Sequence, residues 1–140
     1  MTTKPDARPS ISLLIVEDCP HTLKCYSSIL SMQCPEVTVY TASSGTAGLE
    51  LFKAHLPDIV LTDLHMPEMD GRQMADNIRA IKPETKVIIL TGDKDRLEIK
   101  ELVGNVVVFD HILEKPIDFQ KLFAALTQCI NETLNRGRDQ

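Results

Sequence analysis

Tryptophan is absent from this chain of 140 residues, and the remaining aromatics amount to 4 Phe and 2 Tyr. A core built from such a sequence must be largely aliphatic. Long hydrophobic runs are also missing. The longest, Leu13–Val16, Ile59–Leu61 and Val87–Leu90, are far too short to cross a bilayer. Met1–Ser10 is polar, lacks the apolar centre of a signal peptide and reads as a loose lead-in. Basic residues form no stripe: 15 Lys and Arg are scattered among 20 Asp and Glu, for a net charge of -5. That balance argues against nucleic-acid binding. Among the 4 cysteines, Cys19, Cys25, Cys34 and Cys129, there is no C-x-x-C pair and no His at zinc-ligand spacing. Free structural thiols in a reducing compartment are expected, and the short apolar runs and polar start make the cytoplasm, with no membrane attachment, the expected place.

What the chain does have is alternation. Its length suits one domain. Ile11–Val16 is a run suited to a strand buried on both faces. Pro20 opens a segment with Leu23, Tyr26, Ile29 and Leu30 at helical spacing. Val37, Val39 and Thr41 alternate as a strand, and Ser44 caps a helix carrying Ala47, Leu51 and Phe52 that Pro57 closes. Asp58–Thr62 is the next strand, followed by the polar run Asp63–Gly71 and a helix marked by Met74, Ile78 and Ile81. Lys86–Leu90 reads as a fourth strand, Leu97–Val103 as a short fourth helix, and Val106–Leu113 as a segment containing the fifth strand. Asp118 caps a last helix with Leu122, Phe123, Leu126 and Ile130 on one face. Strand and helix in strict turn predict an α/β fold: a doubly wound, five-stranded parallel sheet with helices on both faces. The expected boundaries are a lead-in over 1–10, one domain over 11–134, and a polar tail or the start of a linker over 135–140.

In such a sheet ligands sit beyond the carboxyl ends of the strands. Glu17 and Asp18 end the first strand, Asp63 the third and Thr91 the fourth, while Lys115 follows the fifth. Three ionised carboxylates cannot share a small pocket without a counter-charge. A divalent cation with hard oxygen ligands, Mg²⁺ above all, supplies it. Asp63 then suits a nucleophile for phosphoryl transfer, with Lys115 and the Thr91 hydroxyl placed to receive phosphoryl oxygens. Taken singly, each group has a plainer meaning: a helix cap for Asp63, a solvated turn for Glu17-Asp18, a turn for Thr91-Gly92. Their arrival at successive strand ends favours the joint reading.

The motifs LLIVED (Leu13–Asp18), DIVLTDLHMPEMDG (Asp58–Gly71), IILTGD (Ile88–Asp93) and EKPID (Glu114–Asp118) resemble those of bacterial response regulator receiver domains. The resemblance extends from about Ser12 to about Ile130 and implies a flavodoxin-like, receiver-type sheet. It implies that Asp63 accepts a phosphoryl group, that Asp18 and Glu17 bind Mg²⁺, and that the main-chain carbonyl of His65 adds a metal ligand. Thr91 would reorient on phosphorylation, Lys115 would pair with the phosphoryl group, and the Lys115-Pro116 bond would be cis. The implied donor is a sensor histidine kinase or phosphotransfer protein. The implied output is a domain of the same chain or a separate target, reached through the face of the fourth helix, fifth strand and fifth helix, with a homodimer also open. His65 and Asp93, two residues past Asp63 and Thr91, are expected on the rim of the opening.

One position departs from the pattern. Three residues before Lys115 the family has Tyr or Phe, and here stands Ile112. A receiver that only binds partners, with no phosphorylation, therefore stays open beside the active one. The aspartate-nucleophile phosphatases are a further class, but they need a second Asp two residues past the first, where this chain has His65.

Overall fold

In the computed structural model, residues 10–92 and 109–138 are described. Their elements run β1 (Ile11–Val16), α1 (Pro20–Gln33), β2 (Val37–Ala42), α2 (Gly45–His55) and β3 (Ile59–Asp63). They continue with α3 (Gly71–Ile81), β4 (Lys86–Thr91), β5 (His111–Glu114) and α4 (Phe119–Arg138). The strands lie in the order β2-β1-β3-β4-β5, every pair parallel. The doubly wound sheet expected from the alternation is the one observed.

Side-chain alternation along the central strands feeds two faces at once. From β1, Leu13 and Ile15 join Leu61 of β3 and Ile88 of β4 under Leu30 of α1 and Leu122 and Leu126 of α4. Leu14, Val16 and Val60 face the other way, against Phe52 of α2 and Met74 and Ile78 of α3. A second patch on that layer joins Leu64, Ala75, Val87, Ile89 and Phe109. Phe52 is fully buried, so truncating it to Ala would cost about 3–5 kcal/mol.

Local chemistry sets the helix ends. Pro20 supplies the fixed φ of the first turn of α1. Ser44 Oγ accepts from the Ala47 N–H at 3.0 Å to start α2, which ends on Leu56 in the left-handed region at φ 49. α3 opens with a reciprocal cap: Asp70 accepts from the Gln73 N–H at 2.8 Å, and the Gln73 side chain accepts from the Asp70 N–H at 3.0 Å. Asp118 Oδ1 accepts from the Gln120 and Lys121 amides at 3.0 and 3.3 Å and starts α4.

β3 and β4 each run one residue further than expected, to Asp63 and Thr91, and the starts of β3 and β5 share one cause. β3 begins at Ile59 rather than Asp58, because the Asp58 carboxylate accepts from the Ser12 N–H at 3.0 Å while its own N–H donates to the Ser12 carbonyl at 3.1 Å. β5 begins at His111, because Asp110 does the same to Val87, with a carboxylate contact of 2.7 Å and an amide contact of 2.8 Å. An Asp at the mouth of a strand replaces one ladder step with its side chain. The fourth helix expected over Leu97–Val103, and the first residues of the expected fifth strand, lie outside the described residues. Among the described residues, no helix is long and apolar enough to cross a membrane.

Candidate functional site

The carboxyl ends of β1, β3 and β4 open on one pocket. β1 delivers Glu17, whose N–H donates to the Ala42 carbonyl of β2 at 3.1 Å, so the residue is held in the sheet edge although its side chain is charged. Glu17 is buried and Asp18 beside it is exposed. β3 ends in Asp63, also buried, and the Leu64 N–H continues the ladder onto the Leu90 carbonyl at 3.0 Å. One carboxylate oxygen from each of Glu17, Asp18 and Asp63 can be chosen so that all lie within 4.8 Å of one another. Sequence reading expected this trio, and the fold brings it together.

The fourth member is Lys115, whose Nζ stands 2.7 Å from Asp63 Oδ1 as an ion pair. Its backbone is fixed by a 2.7 Å hydrogen bond from its N–H to the Thr91 carbonyl, and the Lys115-Pro116 bond is cis, as the resemblance implied. Thr91 is buried at the end of β4, one residue past the register partner of Asp63. His65 takes an exposed position in the loop between β3 and α3. Asp93, expected opposite it on the rim, lies outside the described residues.

That loop is seated by glycines whose roles come from contact rather than from composition. A Cβ on Gly71 would strike the Asp63 carbonyl oxygen and come within 2.7 Å of Ile89 Cδ1, and the Gly71 N–H donates to the Leu64 carbonyl at 2.7 Å. A Cβ on Gly45, at the head of α2, would come within 2.5 Å of the Met69 carbonyl oxygen. Gly71 belongs to a motif read from the sequence, whereas Gly45 was not singled out there. Nothing in the local pattern ties it to a loop that follows two elements later. Glu68 holds a positive φ of 70 at the turn itself.

The electrostatics are unbalanced. Burial raises the Glu17 pKa above the usual carboxylate range, and the facing Asp63 raises it further. Burial pulls the Lys115 ammonium down, but its pairing with Asp63 and the charges of Glu17 and Asp18 outweigh that and leave it raised. Glu17 Oε2 accepts from the Cys19 N–H at 3.0 Å. Glu17 Oε1 and Asp63 Oδ1 are buried without a hydrogen-bond partner, the ion pair to Lys115 being the compensation at the latter. Buried acceptors left this way are costly in a structural site and suit one that takes up a cation and an anion together.

A model of the response regulator receiver domain family matches residues 13–127. The chain is similar to a probable C4-dicarboxylate response regulator, DctR, of Bacillus subtilis (strain 168), 32% identical over 120 residues that make up 86% of this chain and 52% of that one. It is also similar to the transcriptional regulatory protein GlrR of Escherichia coli (strain K12), 34% identical over 123 residues, 86% of this chain and 26% of that one. The chain thus spans about half the length, or less, of these relatives. Among solved structures, a response regulator receiver domain protein from Clostridium thermocellum matches with a TM-score of 0.80 at 30% identity, over 88% of this chain and 96% of that chain.

Proposed function

Since the chain belongs to the response regulator receiver domain family of two-component systems, we propose that Asp63 accepts a phosphoryl group and thereby switches the domain. The observation that carries this reading is the convergence of Glu17, Asp18 and Asp63 beside a lysine 2.7 Å from the acceptor oxygen. The buried Glu17 Oε1, which has no partner, and the buried Asp63 Oδ1, compensated by Lys115 alone, fit a divalent cation. Mg²⁺ held by Glu17, Asp18, Asp63 and the His65 main-chain carbonyl would neutralise charge on the phosphoryl oxygens.

The chain's own groups do the rest. An Asp63 carboxylate oxygen attacks phosphorus as the bond to the donor's imidazole nitrogen breaks, giving an aspartyl phosphate and a free histidine on the donor. The Lys115 ammonium, already drawn to Asp63, shifts to the phosphoryl oxygens, and the Thr91 hydroxyl donates to one of them. The donor is a sensor histidine kinase or a phosphotransfer protein, and the chemistry is confined to phosphoryl acceptance and self-dephosphorylation rather than turnover of another substrate. The change is read on the face that includes β5 and α4, by a further domain or a separate target, in the cytoplasm, with no nucleic acid or membrane bound by this domain and with a homodimer as one route of output. Ile112, 39% exposed on β5, favours as a second reading a receiver that only binds.

The two readings separate on phosphate uptake. Incubation with acetyl phosphate and Mg²⁺ is expected to label the wild type with an acid-labile phosphate, and Asp63→Asn is expected to carry none. Equal labelling of both proteins would remove Asp63 as the acceptor, and no labelling of either would favour the binding module.

A further inference from the structure

Tyr26 has no part in the phosphoryl-transfer scheme, yet it stands between the two halves of the site. It lies on the inward side of α1, the helix that follows Glu17 and Asp18, and is only 8% exposed. Its ring meets Phe119 edge-on, with centroids 6.4 Å apart and planes at 72°, and Phe119 in turn contacts Phe123 at 6.0 Å. Phe119 opens α4 directly after the turn that carries Lys115. That turn hangs from two backbone anchors, the Lys115 N–H on the Thr91 carbonyl and the Asp118 cap on α4. The ring contact therefore joins the segment bearing the metal-binding carboxylates to the segment bearing the ammonium. Ile112, where the family pattern has an aromatic ring, supplies none.

We infer that Tyr26 is a positioning residue for Lys115: its edge contact with Phe119 holds the turn between β5 and α4, and with it the ammonium, against the Asp63 carboxylate. The inference rests on the proposed phosphoryl-accepting role of Asp63. An edge-to-face pair constrains both distance and angle, which a purely aliphatic contact does not. The Tyr26 phenol is pushed up to about 12, by burial first and then by the charges of Glu17 and Asp63, so the ring lies within electrostatic reach of the pocket.

Amide hydrogen exchange in the unphosphorylated protein tests the link, with two amides compared. Lys115 N–H donates to Thr91 on the turn in question, and Leu64 N–H donates to Leu90 on the neighbouring strand end. Tyr26→Leu keeps an apolar side chain and removes the ring, Tyr26→Phe keeps the ring, and Phe119→Leu removes the other half of the pair should Tyr26→Leu fail to fold. The expected result is exchange at Lys115 about tenfold faster in both Leu variants, no further gain in the double variant, and no change at Leu64 or in Tyr26→Phe. Labelling by acetyl phosphate should slow in the same two variants and recover in Tyr26→Phe. Unchanged exchange at Lys115, equal acceleration at Lys115 and Leu64, or labelling at the wild-type rate would each overturn the inference. A wild type that takes up no phosphate at all would instead overturn the Asp63 reading, because the exchange comparison does not depend on it.

Discussion

The two ends of the sheet both carry aspartates, and they treat them in opposite ways. At the amino end, Asp58 and Asp110 each accept from a strand amide and each face a cation from the last turns around α3. Lys82 Nζ lies 3.2 Å from Asp58, and Arg79 Nη2 lies 2.8 Å from Asp110. Lys86 extends the second group to Glu132 of α4 at 3.0 Å. At the carboxyl end, Glu17 and Asp63 are more deeply buried; Glu17 Oε1 has no partner and Asp63 Oδ1 has only the Lys115 ammonium. A charge whose partners are supplied by the fold holds the fold. A charge buried without them is tolerated for what it will bind.

Breaking the amino end should cost stability and leave the chemistry alone. Asp58→Ala leaves the Ser12 amide unpaired and Lys82 with only the Leu56 carbonyl, and Asp110→Ala removes the carboxylate partner of the Val87 amide and of Arg79. Each is expected to lower the unfolding free energy by about 1–3 kcal/mol, read as a lower urea midpoint with an unchanged slope. Labelling by acetyl phosphate should stay at the wild-type level below the melting temperature. A variant of full stability would break the comparison.

At the carboxyl end, ligand should matter more than mutation. Mg²⁺ at about five times its dissociation constant should stabilise the wild type by about 1 kcal/mol. Asp18→Ala should lose that shift while its metal-free stability changes little, since Asp18 is exposed. Differential scanning calorimetry with Mg²⁺ and with EDTA reads both. A melting temperature indifferent to Mg²⁺ in the wild type would remove the metal from the site.

The smallest effect is one of pH. Burial, and then Asp63, raise the Glu17 pKa. A carboxyl raised by folding gives stability that is fully present below its unfolded pKa and is lost as pH rises through its folded pKa. The stability of the wild type relative to Glu17→Gln should therefore fall in EDTA as pH rises through and above the usual carboxylate range, and the fall should shrink when Mg²⁺ is added. A difference that grows with pH in EDTA would mean that Glu17 is stabilised by its surroundings.

The sheet was legible because apolar runs such as Ile11–Val16 and Val87–Leu90 are set off by unambiguous chemistry: Pro20, the Ser44 cap and Pro57. The candidate site was legible because a parallel sheet puts all its carboxyl ends on one side, so residues far apart in sequence had one place to meet. The start of β3 was misread by a residue, and that of β5 was left open within Val106–Leu113. Asp58 and Asp110 look like strand or loop residues until a neighbour's amide is known, and that neighbour is a tertiary fact. Tyr26 was read as one more apolar position on a helix, since its contact with Phe119 links residues far apart in the sequence.

The most direct test of the account is to locate the phosphoryl group chemically. Borohydride reduces an aspartyl phosphate to homoserine, and peptide mass spectrometry then reports which position was modified. After acetyl phosphate, Mg²⁺ and borohydride, homoserine is expected at position 63, with Asp18, Asp70 and Asp93 unaltered and with no product when EDTA replaces Mg²⁺. Homoserine at another aspartate, or a phosphate retained on His65 with Asp63 intact, would contradict it.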